Sequence, residues 1–203
     1  MASSGVGAGA DAEDGGGGDV DGVEAHAARI RKAWIDAGRP EPMRLLFSAH
    51  GLPETVIAAG DPYEAQVQAT AAAVAAKLGD GWDWTVCYQS KVGRLKWLGP
   101  STTEEITEAA KAGQGVIVCP VAFVSEHVET LVELDHDYAE FARKAGIRAY
   151  VRVPALGVDP LFVGALAQAV TSALDLPAEA IGPGSAWRCG GGRGACPCRE
   201  RAA

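Results

Sequence analysis

Two hydrophobic rhythms alternate along most of this chain. Val23, Ala27, Ile30 and Trp34 recur at helical spacing and predict a short amphipathic helix over residues 23–37, stopped by Gly38 with Pro40 just beyond. The apolar run at residues 44–50 predicts a buried strand that enters a loop. An Ala-rich helix over 62–78 follows and ends at Gly79. Residues 84–90 predict a second strand, and Ser101-Thr-Thr-Glu-Glu105 opens a helix with capping chemistry that runs to Gly113. A third strand is expected over 115–123, a long helix over 126–145 closed by Gly146, a fourth strand over 148–154 and a last helix over 160–174. Apolar strands separated by helices predict a doubly wound α/β fold. Its sheet should be mostly parallel and four-stranded, with helices on both faces. Function in such folds gathers in the loops after the carboxyl ends of the strands. Those loops follow Phe47, Tyr88 and Phe123. No glycine-rich phosphate loop follows the first strand, so nothing points to a nucleotide.

Composition changes the picture mainly at the ends. The 203 residues suffice for one domain with a hydrophobic core, and 48% of them are hydrophobic. Net charge is −8, but Asp11, Glu13, Asp14, Asp19 and Asp21 lie within residues 1–21, which hold no Lys or Arg. That stretch also carries the run Gly15 to Gly18, has little to bury, and is expected to be a disordered tail. It matches neither a signal peptide nor a transit peptide. The longest apolar stretch, residues 115–124, contains Pro120 and falls short of the ~20 residues a membrane span needs. The acidic balance disfavours nucleic acid as a partner. Five cysteines, an odd number, suit thiols or metal ligands in a soluble, cytoplasmic protein better than disulfides.

Each loop offers candidate chemistry. His50 closes the first strand ahead of Gly51 and Pro53, where a histidine can take a proton, bind a metal, or serve a structural role. After the third strand, a helical wheel puts Glu126, Glu129, Glu133, Asp137 and Glu140 on one side. Val128, Leu131, Asp135, Tyr138 and Phe141 fall on the adjoining side. The acidic stripe meets no Lys or Arg before Arg143 and begins beside His127. It reads either as a solvated face or as a ridge suited to a divalent cation. The second loop carries Lys91, Arg94, Lys96 and Trp97, which could meet a ligand bearing carboxylates or simply be a solvated loop. Cys189, Cys196 and Cys198 lie on a Gly-rich terminal segment as a metal or iron–sulfur signal, one thiol short of the usual four ligands. Cys87 and Cys119 sit in apolar strands and read as core thiols.

Taken together, five segments resemble the ferrochelatase family in order and spacing. They are Phe47-Ser-Ala-His-Gly-Leu-Pro53, Gly60-Asp-Pro-Tyr63, Cys87-Tyr-Gln-Ser-Lys-Val-Gly93, Trp97-Leu-Gly-Pro100 and the stretch from Pro120 to Asp135. Arg94 stands where the family pattern carries proline. The resemblance covers residues 22–181 and implies a lyase of haem biosynthesis that inserts ferrous iron into protoporphyrin IX or a related porphyrin. It implies His50 and Glu129 as the catalytic pair across the ring, with Glu133 and His127 joining them as iron contacts. It implies Lys91 and Trp97 as substrate contacts. Cys189, Cys196 and Cys198 resemble the ligands of a [2Fe–2S] cluster whose fourth cysteine lies in the family's N-terminal half. Ferrochelatases have two similar α/β domains around the porphyrin cleft. This chain resembles the C-terminal one, between the tail at 1–21 and a Gly/Cys-rich segment at 182–203. A peripheral membrane attachment or a homodimer would also fit. The alternatives are a related tetrapyrrole chelatase and a fragment that binds metal or an iron–sulfur group without turnover.

Overall fold

The computed structural model describes residues 17–174 of the chain. Its centre is β1 (Met43–His50), which pairs in parallel with β2 (Asp83–Gln89) on one side and β3 (Gly115–Pro120) on the other. The short β4 (Tyr150–Arg152) pairs in parallel with β3, giving the strand order β2-β1-β3-β4. In register, Leu45 lies between Trp84 and Ile117, and Ser48 between Cys87 and Pro120.

Both faces of this sheet are covered, which is why its strands read as continuous apolar runs. Successive side chains point to opposite faces. Leu45, Phe47 and Ala49 meet Val86, Tyr88, Ile117, Cys119, Val151 and Val153 on one face, under α1 (Gly17–Asp36) and α3 (Tyr63–Leu78). Leu46, Cys87, Val116 and Val118 point the other way. There they meet Ile106 and Ala109 of α4 (Thr102–Lys111), Leu134, and Ala142 of α5 (Ala139–Lys144). α4 starts on a capping box in which Ser101 and Glu104 exchange hydrogen bonds, as its sequence predicts. The last helix, α6 (Pro160–Leu174), packs on α1 rather than on the sheet. Among the described residues no helix is long and apolar enough to cross a membrane.

Several elements differ from the sequence expectation. α1 begins at Gly17, inside the segment 1–21 expected as a disordered tail, because extending an existing helix fixes fewer torsions per bond than starting one. The rest of that tail and the segment 182–203 lie outside the described residues. A short α2 (Glu54–Ala58) was not anticipated. β3 stops at Pro120, the last residue in register with β1, and β4 is confined to three residues. The largest difference lies at 126–145. The segment Glu129–Tyr138 winds as a π-helix and only Ala139–Lys144 is α-helical. Wider i→i+5 turns bring residues four apart nearly into line. Thr130, Leu134 and Ala142 are therefore buried at four-residue intervals with Tyr138 half-buried between them. Val128, Leu131 and Phe141, which a wheel at 3.6 residues per turn puts on one side with Tyr138, are all exposed.

α1 is fixed by polar ties. The Arg29 guanidinium donates to the carbonyls of Ala155 and Leu156 at 2.7 and 2.8 Å and to Asp159 at 3.2 Å. One turn away, His26 is buried with its Nδ1 3.8 Å from the Cys119 thiol. Burial, reinforced by the Arg29 charge, pulls its pKa down from 6.5 to about 4. The unfolded chain takes up this proton near pH 6.5, whereas the folded chain stays neutral until about pH 4. The His26 contribution is therefore complete above pH 6.5 and is lost as the pH falls toward 4, by about 3 kcal/mol. Urea denaturation of the parent and of His26→Gln at pH 7.5 and pH 4.5 checks this. The parent should lose more stability on acidification than the variant; equal losses would contradict it.

Candidate active site

β1 reaches its neighbour β2 through α3 on one face, and β2 reaches β3 through α4 on the other. The connection after β1 thus runs to one side and that after β3 to β4 on the other, which makes the carboxyl ends of β1 and β3 the switch point, where sheets of this kind open a crevice. His50 is the last residue of β1. Glu129 opens the π-helix that follows β3. Their side chains meet on one wall of the crevice, His50 Nδ1 lying 3.3 Å from Glu129 Oε2 with both about one-third exposed, so the two share one side of any ring bound here and do not face each other across it as the resemblance had implied. The alignment is too poor for a hydrogen bond, and Nδ1 is shielded from solvent with no hydrogen-bond partner. Among the described residues no hydrogen bond ends on the Glu129 carboxylate.

The His50 end is held by its surroundings. Its carbonyl accepts a 2.9 Å bond from the Tyr63 hydroxyl, whose pKa burial raises to about 12, so the phenol stays a donor. Gly51 follows, its N–H donating to the Gln89 carbonyl at 2.8 Å. A Cβ at this glycine would stand 3.0 Å from that carbonyl and 3.4 Å from the Trp97 ring, so the approach of β1 to the second loop requires Gly51. Leu98 N–H donates to Leu52 carbonyl and Glu54 N–H to Lys96 carbonyl, fastening the two loops together. Trp97 is half-buried in this seam. Lys91 is exposed, with its Cγ 3.8 Å from the position of a Cβ on Gly51. Lys96 pairs with Glu54 at 2.8 Å, and Arg94 is exposed.

The acidic stripe resolves into separate partnerships. Arg152 of β4 grips Asp135 through two bonds of 2.6 and 2.7 Å and Glu126 through one of 2.5 Å. Glu126 also accepts from the Ala155 N–H, and these partners hold its pKa below the usual range against the opposing effect of burial. Asp137 faces His136, and Glu140 faces Lys144. The cation absent from the helix before Arg143 is thus supplied by a strand. Glu133 points to the end of β2, where it accepts bonds from Gln89, Ser90 and Tyr138. His127 Nδ1 accepts a 3.1 Å bond from the Glu129 N–H, and its ring packs at 5.1 Å against Phe123. The neutral His127 ring therefore carries its proton on Nε2, where it can donate but has no lone pair to share.

His50, Glu129, Glu133 and His127 thus gather around one crevice, with Lys91 and Trp97 on the neighbouring loop. Among the described residues no three His, Cys, Asp or Glu side chains converge as a metal cage. Cys189, Cys196 and Cys198 lie outside the described residues. Sequence reasoning missed Tyr63, Gln89, Ser90, Tyr138 and Arg152 as parts of this site. Tyr63, Gln89 and Ser90 carried a signal only as members of the segments that resemble the family, and Tyr138 and Arg152 lie outside those segments.

A family model described as Ferrochelatase matches residues 21–174. A ferrochelatase of Caulobacter vibrioides is 57% identical over 180 residues, covering 89% of this chain and 52% of the relative. One of Phenylobacterium zucineum is 57% identical over 178 residues, with 88% and 51% covered. One of Hyphomonas neptunium is 45% identical over 178 residues, with 88% and 50% covered. The chain spans about half the length of these curated relatives. Because the family match takes in all four strands and the crevice between β1 and β3, along most of the chain's length, the chain belongs to the ferrochelatase family.

Proposed function

We propose that this chain supplies the His50–Glu129 wall of a site that inserts ferrous iron into a porphyrin during haem synthesis. The observation that carries the reading is the 3.3 Å approach of His50 Nδ1 to Glu129 Oε2 at the switch point of the sheet. Metallation requires two pyrrole protons to leave and the ring nitrogens to turn toward the metal. A site that holds the macrocycle distorted directs their lone pairs out of the ring plane, using binding energy for that purpose. A carboxylate opposite Nδ1 favours the tautomer protonated there, which leaves the Nε2 lone pair of His50 to receive a pyrrole proton. Glu129 then stabilises the imidazolium that forms. Its unbonded oxygens also offer the iron a hard anionic contact on the way to the ring. His127, protonated on Nε2, acts as a donor at the entrance, and Lys91 and Trp97 suit the carboxylates and the flat face of the macrocycle.

The [2Fe–2S] cluster belongs to the same proposal and rests on Cys189, Cys196 and Cys198. A fourth thiolate from the described residues does not fit, because Cys87 and Cys119 are enclosed in the sheet and burial pushes both thiols up to about 12. Cytoplasmic placement rests on the cysteine content. Peripheral membrane attachment or a homodimer rests on the family resemblance.

Porphyrin metallation by the purified chain tests the central reading. The assay is run alone and with the unmatched half of the Caulobacter relative supplied as a second polypeptide. The complemented chain should metallate, and His50→Ala should reduce the rate about 10²–10⁴-fold, the usual worth of a positioned base. Metallation by His50→Ala at the parent rate would overturn the assignment. Metal binding without turnover in either arm would favour a non-catalytic fragment. For the cluster, protein purified without oxygen should absorb in the visible and contain iron and sulfide, and colourless, sulfide-free protein counts against it.

A further inference from the structure

Glu133 differs from Glu129 in one respect that decides its role: its carboxylate has no acceptor position left. Oε1 accepts the Ser90 N–H at 2.8 Å and the Tyr138 hydroxyl at 2.6 Å. Oε2 accepts the Gln89 side-chain amide at 3.0 Å and the Ser90 hydroxyl. A carboxylate offers about four such positions, and here all of them are in use. The donors are themselves fixed. Gln89 is fully buried, its carbonyl oxygen takes a 2.8 Å bond from Ser48, and its amide also donates to the Glu129 backbone carbonyl at 2.9 Å. Ser48 is in turn 2.9 Å from the Thr102 hydroxyl. Ser90 holds φ at +63°, a left-handed conformation rare for a residue with a side chain, and this turns its N–H and hydroxyl onto the same carboxylate. Burial and the Glu133 charge both drive the Tyr138 pKa far up, so its hydroxyl remains a donor.

We infer that Glu133 is a positioning residue rather than an iron contact, the centre of a latch in which Gln89, Ser90 and Tyr138 fasten the first turn of the π-helix to the end of β2. Gln89 bonds to both the Glu133 side chain and the Glu129 backbone, so the latch sets the distance from Glu129 to His50. The inference rests on the iron-insertion reading only where turnover is measured.

Two measurements test it. On the 203-residue chain, the Ser90 amide should be protected from hydrogen exchange. Its exchange should quicken at least tenfold in Glu133→Gln, while the Val118 amide of the core stays as slow as in the parent. An unprotected Ser90 amide in the parent, or one unchanged by Glu133→Gln, overturns the latch. In the complemented enzyme, Glu133→Gln should lower kcat about tenfold while KM for the metal stays within about twofold. Tyr138→Phe should do the same more mildly, and the double variant should be no worse than Glu133→Gln alone. A tenfold rise in KM for the metal in Glu133→Gln, with Tyr138→Phe like the parent, would make Glu133 an iron contact and overturn the inference. Absence of turnover in the complemented parent would remove the proposed function and leave the exchange result to decide the latch.

Discussion

The parallel pairing of β1 on both of its edges constrains everything else in this fold. From Arg44 to Ser48 its backbone is in register with β2 on one side and β3 on the other. A strand so placed cannot meet water on either face, and parallel neighbours demand crossover helices rather than tight turns. The chain leaves for β2 over one face and arrives at β3 over the other. The same arrangement that buries Phe47 and Leu46 therefore opens the crevice into which His50 projects. Core and site share a cause, and the order of strands fixes where chemistry can occur before any side chain is specified.

Register then turns this topology into geometry. Residues His50 and Gln89 are level in adjacent strands. One ends β1 at the crevice and the other carries the amide that reaches Glu133 and the Glu129 carbonyl. The close approach at Gly51 keeps the two loops beyond them in contact, through Trp97 and the Gln89 carbonyl. Tyr63 fastens the His50 carbonyl from the side of α3. The histidine is thus placed by three elements, and its ring keeps one nitrogen opposite Glu129.

Two-sided burial writes itself plainly into a sequence, which is why four apolar runs sufficed to place the strands and the parallel sheet. His50 was legible for a related reason, since it closes a strand whose end could be located, whereas Glu129 was one carboxylate of a stripe until the family resemblance singled it out. The π-helix was not legible, because a helical wheel presupposes 3.6 residues per turn and the burial of Thr130, Leu134 and Ala142 follows a longer repeat. Nor was the neutralisation of Glu126 and Asp135 visible, because Arg152 stands 26 and 17 residues away and arrives only through the β3–β4 pairing. Ser90 gives no sign in sequence of its left-handed backbone. Its conformation is set by bonds to a carboxylate on another element.

The acidic stripe shows how a charged helix yields a specific site. A ridge of uncompensated carboxylates would repel itself and would hold a divalent cation at many places equally well. Here Arg152 takes up Glu126 and Asp135, Lys144 takes up Glu140, and four neutral donors take up Glu133. Among the described residues, Glu129 is left facing the His50 imidazole with no hydrogen bond on its carboxylate. A carboxylate opposed by a fixed guanidinium is tied up by bidentate bonds, as Asp135 is by Arg152, whereas Glu129 keeps its oxygens free of such bonds among the described residues. The site is therefore defined by subtraction. The fold neutralises or saturates Glu126, Glu133, Asp135 and Glu140, and leaves at the switch point a carboxylate set against an imidazole rather than a cation.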